Sequence, residues 1–431
     1  MADTRNHADA ADGLLSYLAS SPTPFHATRV AHQRLAELGF TELTMGSRWQ
    51  IRAGGNYLLP IGDGALLAAK LGSRPLAEAG ATILLAHTDS PTLRVKEQGA
   101  SWRKGYLALP TEMYGGPIVA TWLGRELGIA GRVVTADGTV SLVDLPHRVV
   151  IPNLALHLNR EVNKGFEYNA QDHLVALAGV VADHDDANAE AELRKLVADA
   201  AGADAEEVWE YELSLYDPAP GSSIGVEGDL LVSPRVDNLS GSYTCLEAFL
   251  QAESDRPSML VLYNHEEIGS LTGEGAQSGA LTGVIERLVR AQGGDSEDAA
   301  VAAARSLLVS NDVAHALHPS FADKYDKDYS PVLNGGPVLK LSAAMKYATT
   351  APTSVRFRRA CEAAGVPMQR SAFRSDARSG STVGPVSWAR TGIPTVDVGL
   401  GILAMHAIRE TAGAGDVEMM IRALAALVEQ E

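Results

Sequence analysis

The stretch Ser258-Met-Leu-Val-Leu-Tyr-Asn-His-Glu-Glu-Ile-Gly269 joins an apolar run directly to two adjacent carboxylates. Met259 to Tyr263 is short, apolar and rich in strand formers, which predicts a buried parallel strand. It ends abruptly in His265, Glu266 and Glu267. Neighbouring carboxylates are unfavourable to bury unless a cation offsets them. In an open α/β sheet, ligands and chemistry collect at the carboxyl ends of the strands. The expected chemistry is a metal site in which one carboxylate binds an ion and its neighbour handles protons. A solvated acidic loop is the commoner meaning of such a pair, but the same arrangement recurs along the chain.

Five positions share one description: His87, Asp237, Glu267, Asp312 and His406 each lie at or beyond the end of an expected strand. Ala81-Thr-Ile-Leu-Leu-Ala86 runs into His87, Asp229 to Val232 precedes Asp237, and Ser306 to Ser310 precedes Asp312. Thr395 to Val398 leads by a loop to His406. In a parallel sheet such ends share one edge, so distant residues can converge. Two histidines and three carboxylates form a ligand set suited to Zn, Mn or Co. They exceed a single tetrahedral zinc and suit two ions at roughly 3.5–4 Å with one bridging carboxylate, the arrangement of dinuclear hydrolases. Glu266, beside Glu267, then becomes the general base that takes a proton from metal-bound water. Asp89, two residues past His87, is placed to accept the imidazole's other N–H and fix its tautomer.

Other residues carry less. His315 and His318 follow Asp312 closely and read as supporting or packing residues. His26, His32, His147, His173 and His184 show no pattern and read as structural or surface residues. Gly221-Ser-Ser223-Ile-Gly225 matches the spacing of a nucleophile elbow. That motif needs a strand before it and a helix after it, whereas Pro218 and Pro220 precede it and glycines follow, so it is rejected. Gly273-Glu-Gly275 is too short for a phosphate loop.

The elements that must hold these residues suggest an α/β protein: a mixed, mostly parallel sheet flanked by helices, with an inserted β-rich domain. Asn56 to Leu71 reads as a strand pair turning at Gly62-Asp-Gly64. From Leu93 to Val150 polar and apolar residues alternate between glycines, the texture of antiparallel β structure. The acidic, alanine-rich stretch from Val180 to Asp204, with His184, reads as an exposed segment and then a solvated helix. Trp209 to Tyr216 is a further strand. Helices are expected over 241–253, over 280–304 without a break, over 354–365 and over 412–431. The domain boundaries that follow are 1–92 and 235–431 for the α/β domain, and 93–234 for the insertion.

Composition narrows the function classes. A chain of 431 residues with 46% hydrophobic residues can build two or three domains. A net charge of −17 argues against nucleic acid and against an anionic membrane surface as partners. Cys245 and Cys361 are the two cysteines, too few for a disulfide framework or thiolate zinc site. The polar start, Met1 to Gly13, shows no signal peptide, and no run is long enough to span a bilayer. A soluble cytoplasmic protein is expected.

At these residues the chain resembles the aspartyl aminopeptidase family of dinuclear zinc exopeptidases. The resemblance runs essentially end to end. It is carried by Ser21-Pro-Thr-Pro-Phe-His26, Ala86-His87-Thr-Asp89-Ser-Pro91, Arg235-Val-Asp237-Asn-Leu and His265-Glu266-Glu267-Ile-Gly-Ser. It continues through Ser310-Asn-Asp312-Val-Ala-His315-Ala, Gly335-Gly-Pro-Val-Leu-Lys340, Gly380-Ser-Thr-Val-Gly-Pro385 and Ala404-Met-His406-Ala-Ile-Arg-Glu410. The resemblance implies removal of N-terminal acidic residues from peptides, an inserted domain that serves oligomerisation, and a tetrahedral dodecamer. It implies metal roles for His87, Asp237, Glu267, Asp312 and His406, with Asp237 bridging, and the base role for Glu266. It also implies substrate-pocket roles for Lys340, Tyr347 and His157, the last reaching a neighbouring subunit. The expected function is hydrolysis of N-terminal Asp and Glu with two divalent ions, zinc first and Mn or Co as alternatives. An aminopeptidase of other side-chain preference, or an amidase or deacylase on the same site, is the alternative. An inactive assembly protein is a further one, against which the intact ligand set and Glu266 stand.

Overall fold

The computed structural model of the chain describes residues 2–180 and 189–430, with residues 2–8 by backbone alone. His184 and the segment read as exposed around it lie outside the described residues. The chain divides into two compact units, one of residues 1–89, 221–405 and 410–431, the other of residues 90–220 and 406–409.

The first unit is built on a nine-stranded sheet. In chain order its strands are β1 (Thr41–Glu42), β2 (Asn56–Ile61), β3 (Ala65–Lys70), β4 (Thr82–His87) and β5 (Ser258–Tyr263). Then come β6 (Leu307–Asn311), β7 (Val338–Lys340), β8 (Gln369–Ser371) and β9 (Thr395–Gly399). Their spatial order is β1-β2-β3-β5-β4-β6-β9-β7-β8. The middle four, β5, β4, β6 and β9, run parallel, so their carboxyl ends share one edge. Both faces of these strands are covered, which is why each reads as an unbroken apolar run. Leu84, Ala86, Leu260, Leu262 and Val309 point into one core, and Ile83, Leu85, Val261, Tyr263 and Leu308 into the other. Truncating a side chain such as Leu84 to alanine removes contacts on a fully buried face and costs about 2–5 kcal/mol.

The helix α1 (Val236–Gln251) passes beneath the sheet and is buried from Val236 through Phe249. Its buried polar side chains find partners: Ser240 Oγ donates to Val236 O at 2.7 Å, Thr244 Oγ1 to Ser240 O at 2.8 Å, and Ser242 Oγ to His87 O at 2.7 Å. A second, five-stranded sheet joins Ser222–Ile224, Leu230–Ser233, Glu410–Gly413, Gly401–Leu403 and Ala314–His315.

The second unit is a barrel. Its antiparallel ring runs Val149–Val150, Val175–Val180, Tyr106–Tyr114, Thr92–Val95, Val208–Tyr216 and Glu126–Thr135, and closes back on Val149–Val150. Closure removes the free edges an open sheet would expose. Leu93, Val95, Leu109, Ile129, Val133, Leu213 and Leu215 fill its core.

Four expectations change. The sequence-based insertion ended at 234, but the strands from Ser222 to Ser233 pair within the first unit through Glu410–Gly413. The helix expected over 280–304 is two, Ala280–Ala291 and Ser296–Arg305. Gly293 takes φ 92°, and Asp295 caps the second helix by accepting from Glu297 N and Asp298 N. The closing helix starts at Ala414, because Glu410–Gly413 is a strand. The alanine-rich helix Ala189–Ala201 is not fully solvated: Leu193, Val197 and Ala198 pack into the barrel core. The rejection of the nucleophile elbow holds, since Ser222–Ile224 is a strand paired with Leu230–Ser233 rather than a turn into a helix.

Candidate metal centre

Three strands of the parallel set end within one cluster of the first unit. His87 is the last residue of β4 and lies opposite Tyr263, the last of β5. Beyond Tyr263 the chain enters the tight 3-10 turn Glu266–Ile268. Asp312 follows β6 directly, and its N–H donates to Val398 O of β9 at 2.9 Å. The approach is close enough that a Cβ on Gly399 would lie 1.8 Å from Asp312 O, so only glycine fits there. Asp237 opens α1 in a non-helical conformation, with φ −81° and ψ 108°. Its N–H donates to Glu410 Oε2 at 2.8 Å.

His87 Nε2 stands 3.6 Å from Asp237 Oδ1 and 3.7 Å from Asp312 Oδ1. His87, Asp237 and Asp312 are all buried and present ligand atoms within 4.8 Å of one another, as do His87, Glu266 and Glu267. Zinc bonds of about 2.0–2.1 Å place neighbouring tetrahedral donors roughly 3.3 Å apart, close to the spacing seen. Thus the structure brings together His87, Asp237, Glu266, Glu267 and Asp312. His406 opens the short segment of residues 406–409 that belongs to the second unit, with φ 69° and its Nδ1 3.0 Å from Gly116 O.

The electrostatics demand positive charge. Burial pushes the Glu266 carboxyl up to about 8, with His87 opposing and Asp312, Asp89 and Asp237 adding repulsion. Glu267 is held well above the carboxylate range by burial and then by Asp237. Burial disfavours the His87 imidazolium, yet Asp312, Asp89 and Glu266 outweigh it and keep the ring's affinity for a proton well above its ordinary value. Five carboxylates around one imidazole are stabilised by a cation and destabilised without one. Nitrogen and oxygen donors of this kind fit a divalent ion such as zinc.

Around the cluster, side chains hold the ligands rather than meet solvent. Asp89 Oδ1 accepts from Glu266 N and Oδ2 from Glu267 N, each at 3.1 Å. The atom nearest His87 Nδ1 is the Asp89 backbone carbonyl at 3.0 Å, with the carboxylate at 3.4 Å. The tautomer-fixing role expected of the Asp89 side chain is therefore shared with its own backbone, and the carboxylate mainly clamps the turn that carries both glutamates. Lys340 is 2% exposed, which sets aside a solvated strand-end lysine. Its Nζ donates to Asp312 O and Val313 O at 2.8 Å each and lies 3.4 Å from Asp312 Oδ2. Against burial, which raises it, Lys340 and His87 hold Asp312 down at about 2. The Tyr347 ring lies under the Lys340 ammonium, 5.0 Å from Nζ to centroid.

His157 lies on an exposed stretch of the barrel unit, where Leu154, Leu156 and Leu158 are 57%, 54% and 75% exposed. His315 packs edge-on to Phe373 at 5.3 Å, and His318 Nδ1 accepts from Ser320 N at 3.2 Å. Both join a wall beside Asp312 rather than the ligand groups found among the described residues. His26 is buried with Nδ1 2.8 Å from Thr23 Oγ1, His32 pairs with Glu42 at 2.8 Å, and His173 Nδ1 accepts from Asn169 N at 2.9 Å.

Three residues that the sequence alone gives no role support the site: Glu410, His265 and Glu274. Glu410, 2% exposed, holds the Asp237 backbone; it closed one of the quoted motifs, which was its only signal. His265, at φ 64°, sets the angle of the glutamate turn and is anchored by Thr272 Oγ1, 2.8 Å from its Nδ1. Glu274 supports the same turn by accepting from Asn264 Nδ2 at 2.7 Å and from Asp63 N at 3.1 Å.

Comparison with known proteins decides the kind of site. A family model described as Aminopeptidase I zinc metalloprotease (M18) matches residues 17–427. The probable M18 family aminopeptidase 2 of Stutzerimonas stutzeri (strain A1501) is 42% identical over 422 residues, covering 96% of each chain. The chain belongs to the M18 family of zinc aminopeptidases. A counterpart from Pseudomonas savastanoi pv. phaseolicola (strain 1448A / Race 6) is 41% identical over 97% of this aminopeptidase and 98% of that relative. Among solved structures, that of the Ape4 and Nbr1 complex superposes with a TM-score of 0.92 at 32% identity, covering 97% of this chain and 85% of that one. The S. cerevisiae mApe1 dodecamer superposes with a TM-score of 0.83 at 28% identity, covering 97% and 96%. The aminopeptidase is therefore a metal-dependent hydrolase of peptide bonds, and the buried His87–Asp237–Asp312 group is chemically fit for its family's zinc.

Proposed function

We propose that this aminopeptidase removes N-terminal Asp and Glu residues from peptides at a centre of two zinc ions. His87, Asp237, Glu267, Asp312 and His406 would hold the ions, with Asp237 shared as the family resemblance implies. Such ions, when bound, polarise the scissile carbonyl and lower the pKa of water. The chain's own residues do the rest. Glu266 takes the proton released when the water oxygen joins the carbonyl carbon, and gives it to the amine nitrogen as the C–N bond breaks. Asp89 keeps Glu266 and Glu267 on one clamped turn. Tyr347 lines the floor beneath Lys340.

The observation that carries the acidic preference is the buried Lys340 ammonium. Two of its protons go to backbone carbonyls, and the remaining charge faces the Asp312 carboxylate beside the metal cluster. A substrate side-chain carboxylate entering there meets a desolvated cation, and a neutral side chain gains nothing from it. A panel of aminoacyl amides tests the reading: kcat/KM for Asp and Glu should exceed that for Leu and Ala by a wide margin. Equal or faster turnover of the neutral amides would replace it with an aminopeptidase of another preference.

We also propose a cytoplasmic homo-oligomer, a dodecamer as in mApe1, assembled through the barrel unit. The exposed Leu154, Leu156 and Leu158 around His157 support this, since apolar residues clustered on one exposed stretch mark an association surface. His157 would then serve a neighbouring subunit's substrate pocket.

A further inference from the structure

The first unit contains a cavity of about 280 Å³ that the chemistry above does not use. It lies between the proline-led turn Pro319–Lys324 and the segment that follows β8 at Ser371. Its walls are dominated by rings: Phe321, Tyr325, Tyr329 and Phe373, with the imidazoles of His315 and His318. Phe373 stands edge-on to His315 at 89°, and His318 tilts over Phe321 at 4.9 Å. Phe321 and Tyr329 are still 54% and 41% exposed, so the rim presents aromatic surface to an incoming group. Ring edges and faces of this kind favour another aromatic ring over a flexible aliphatic chain.

The position of the cavity says what reaches it. His315 is three residues beyond Asp312, and Ser371 pairs with Lys340 across β7 and β8. Leu341 N also donates to Ser371 O at 2.9 Å. One wall thus grows from the segment that carries Asp312, and the other from the strand paired with the one that carries Lys340. Three residues of extended chain span roughly 10 Å, about the reach of the first two residues beyond a cleaved bond.

We propose that this cavity is a subsite for the downstream part of the peptide, receiving an aromatic side chain from the first or second residue after the cleaved bond. The proposal rests on the peptide-hydrolase reading and adds a second specificity to the one for the residue removed. The charges at the margin offset one another: Lys324 lies 3.6 Å from the Asp323 carboxylate, Arg374 holds Asp376 at 2.9 and 2.7 Å, and Asp326 also lines the cavity. The ring wall therefore decides the preference.

The test compares kcat/KM for Asp-Ala-Ala, Asp-Phe-Ala and Asp-Ala-Phe on the full oligomeric enzyme. One of the Phe peptides should exceed Asp-Ala-Ala by about tenfold or more, the gain expected for burying one ring. Two alterations should each bring that ratio back toward one. Phe321→Ala with Tyr329→Ala strips the exposed rim without touching the core, and Ala372→Trp fills the cavity. No preference for Phe at either position, a preference untouched by both alterations, or a parallel loss on all three peptides would overturn the subsite. The same series with Leu at the N-terminus separates the two specificities. A Phe effect that survives while acidic preference is absent overturns only the Lys340 reading, and the reverse overturns only the subsite.

Discussion

Asp312 divides its carboxylate between two neighbours, and that division sets the residue-scale predictions. Oδ1 faces His87 Nε2 at 3.7 Å, and Oδ2 faces Lys340 Nζ at 3.4 Å. In the proposed site Lys340 therefore steadies a metal ligand as well as offering charge to substrate. Lys340→Met should lower zinc retention on dialysis against a mild chelator. It should also cut kcat/KM for all substrates, with a further loss confined to Asp and Glu. Equal losses on acidic and neutral amides with zinc retained as in wild type would leave acidic preference without this cause. Glu266→Gln keeps the shape and removes proton acceptance, so kcat should fall about 10²–10⁴-fold while elemental analysis finds the metal in place. Near-normal turnover would move Glu266 out of the chemistry. Asp237→Ala removes the shared ligand and should release both ions together; two ions still bound would refute the shared-carboxylate arrangement.

At the scale of elements, the turn that aims β7 depends on a buried carboxylate from another element. Asp416, in the first turn of the helix Ala414–Glu429, accepts from Gly336 N at 2.8 Å and from Asn334 N at 2.7 Å. Gly336 has φ 87°, and a Cβ there would meet Pro367 O at 2.3 Å, so the turn admits only glycine at that point. Burial pushes the Asp416 carboxyl up to about 7, against the pull of those two amides. A folded-state pKa above the unfolded value of about 3.9 means that its contribution to stability is complete below that value. The contribution declines as pH rises through about 7. Asn cannot ionise, so the Tm advantage of wild type over Asp416→Asn should shrink between pH 5 and pH 8. A gap that widens with pH would show the ionised carboxylate to be the stabilising form.

For the whole molecule, the net charge of −17 repels an acidic peptide at long range. The proposed selection of Asp or Glu must then come from short contacts around Lys340, and a desolvated pair is poorly screened. Raising salt within the physiological range should change kcat/KM for acidic amides only modestly; a steep salt dependence would point to surface charge instead. Assembly is the other property at this scale. Light scattering under assay conditions should find a particle many times the monomer mass, and His157→Ala should impair turnover without dissociating it. A fully active monomer would remove His157 from the site and the barrel unit from assembly.

Much of this protein is local enough to read from the chain. Buried parallel strands are unbroken apolar runs, so β4, β5 and β6 stood out, and the polar residues that ended them marked His87, Glu266, Glu267 and Asp312. The hairpin of β2 and β3 was legible from its glycine turn, and the barrel unit from alternation between glycines. The break at Gly293 was hidden because alanines continue the helical pattern on both sides of it. Strand order, the pairing of Ser222–Ser233 with Glu410–Gly413, and the closure of the barrel depend on partners far away in the chain, which no window of sequence contains. The same holds for the side chains that hold the ligands. A lysine at a strand end reads as solvated until the fold supplies Asp312 and Val313 as its partners, and an aspartate beside a histidine reads as its orienter until the glutamate turn arrives at its oxygens. Residue types and strand ends determined what chemistry was available; only the tertiary contacts decided which charges are buried and what each of them faces.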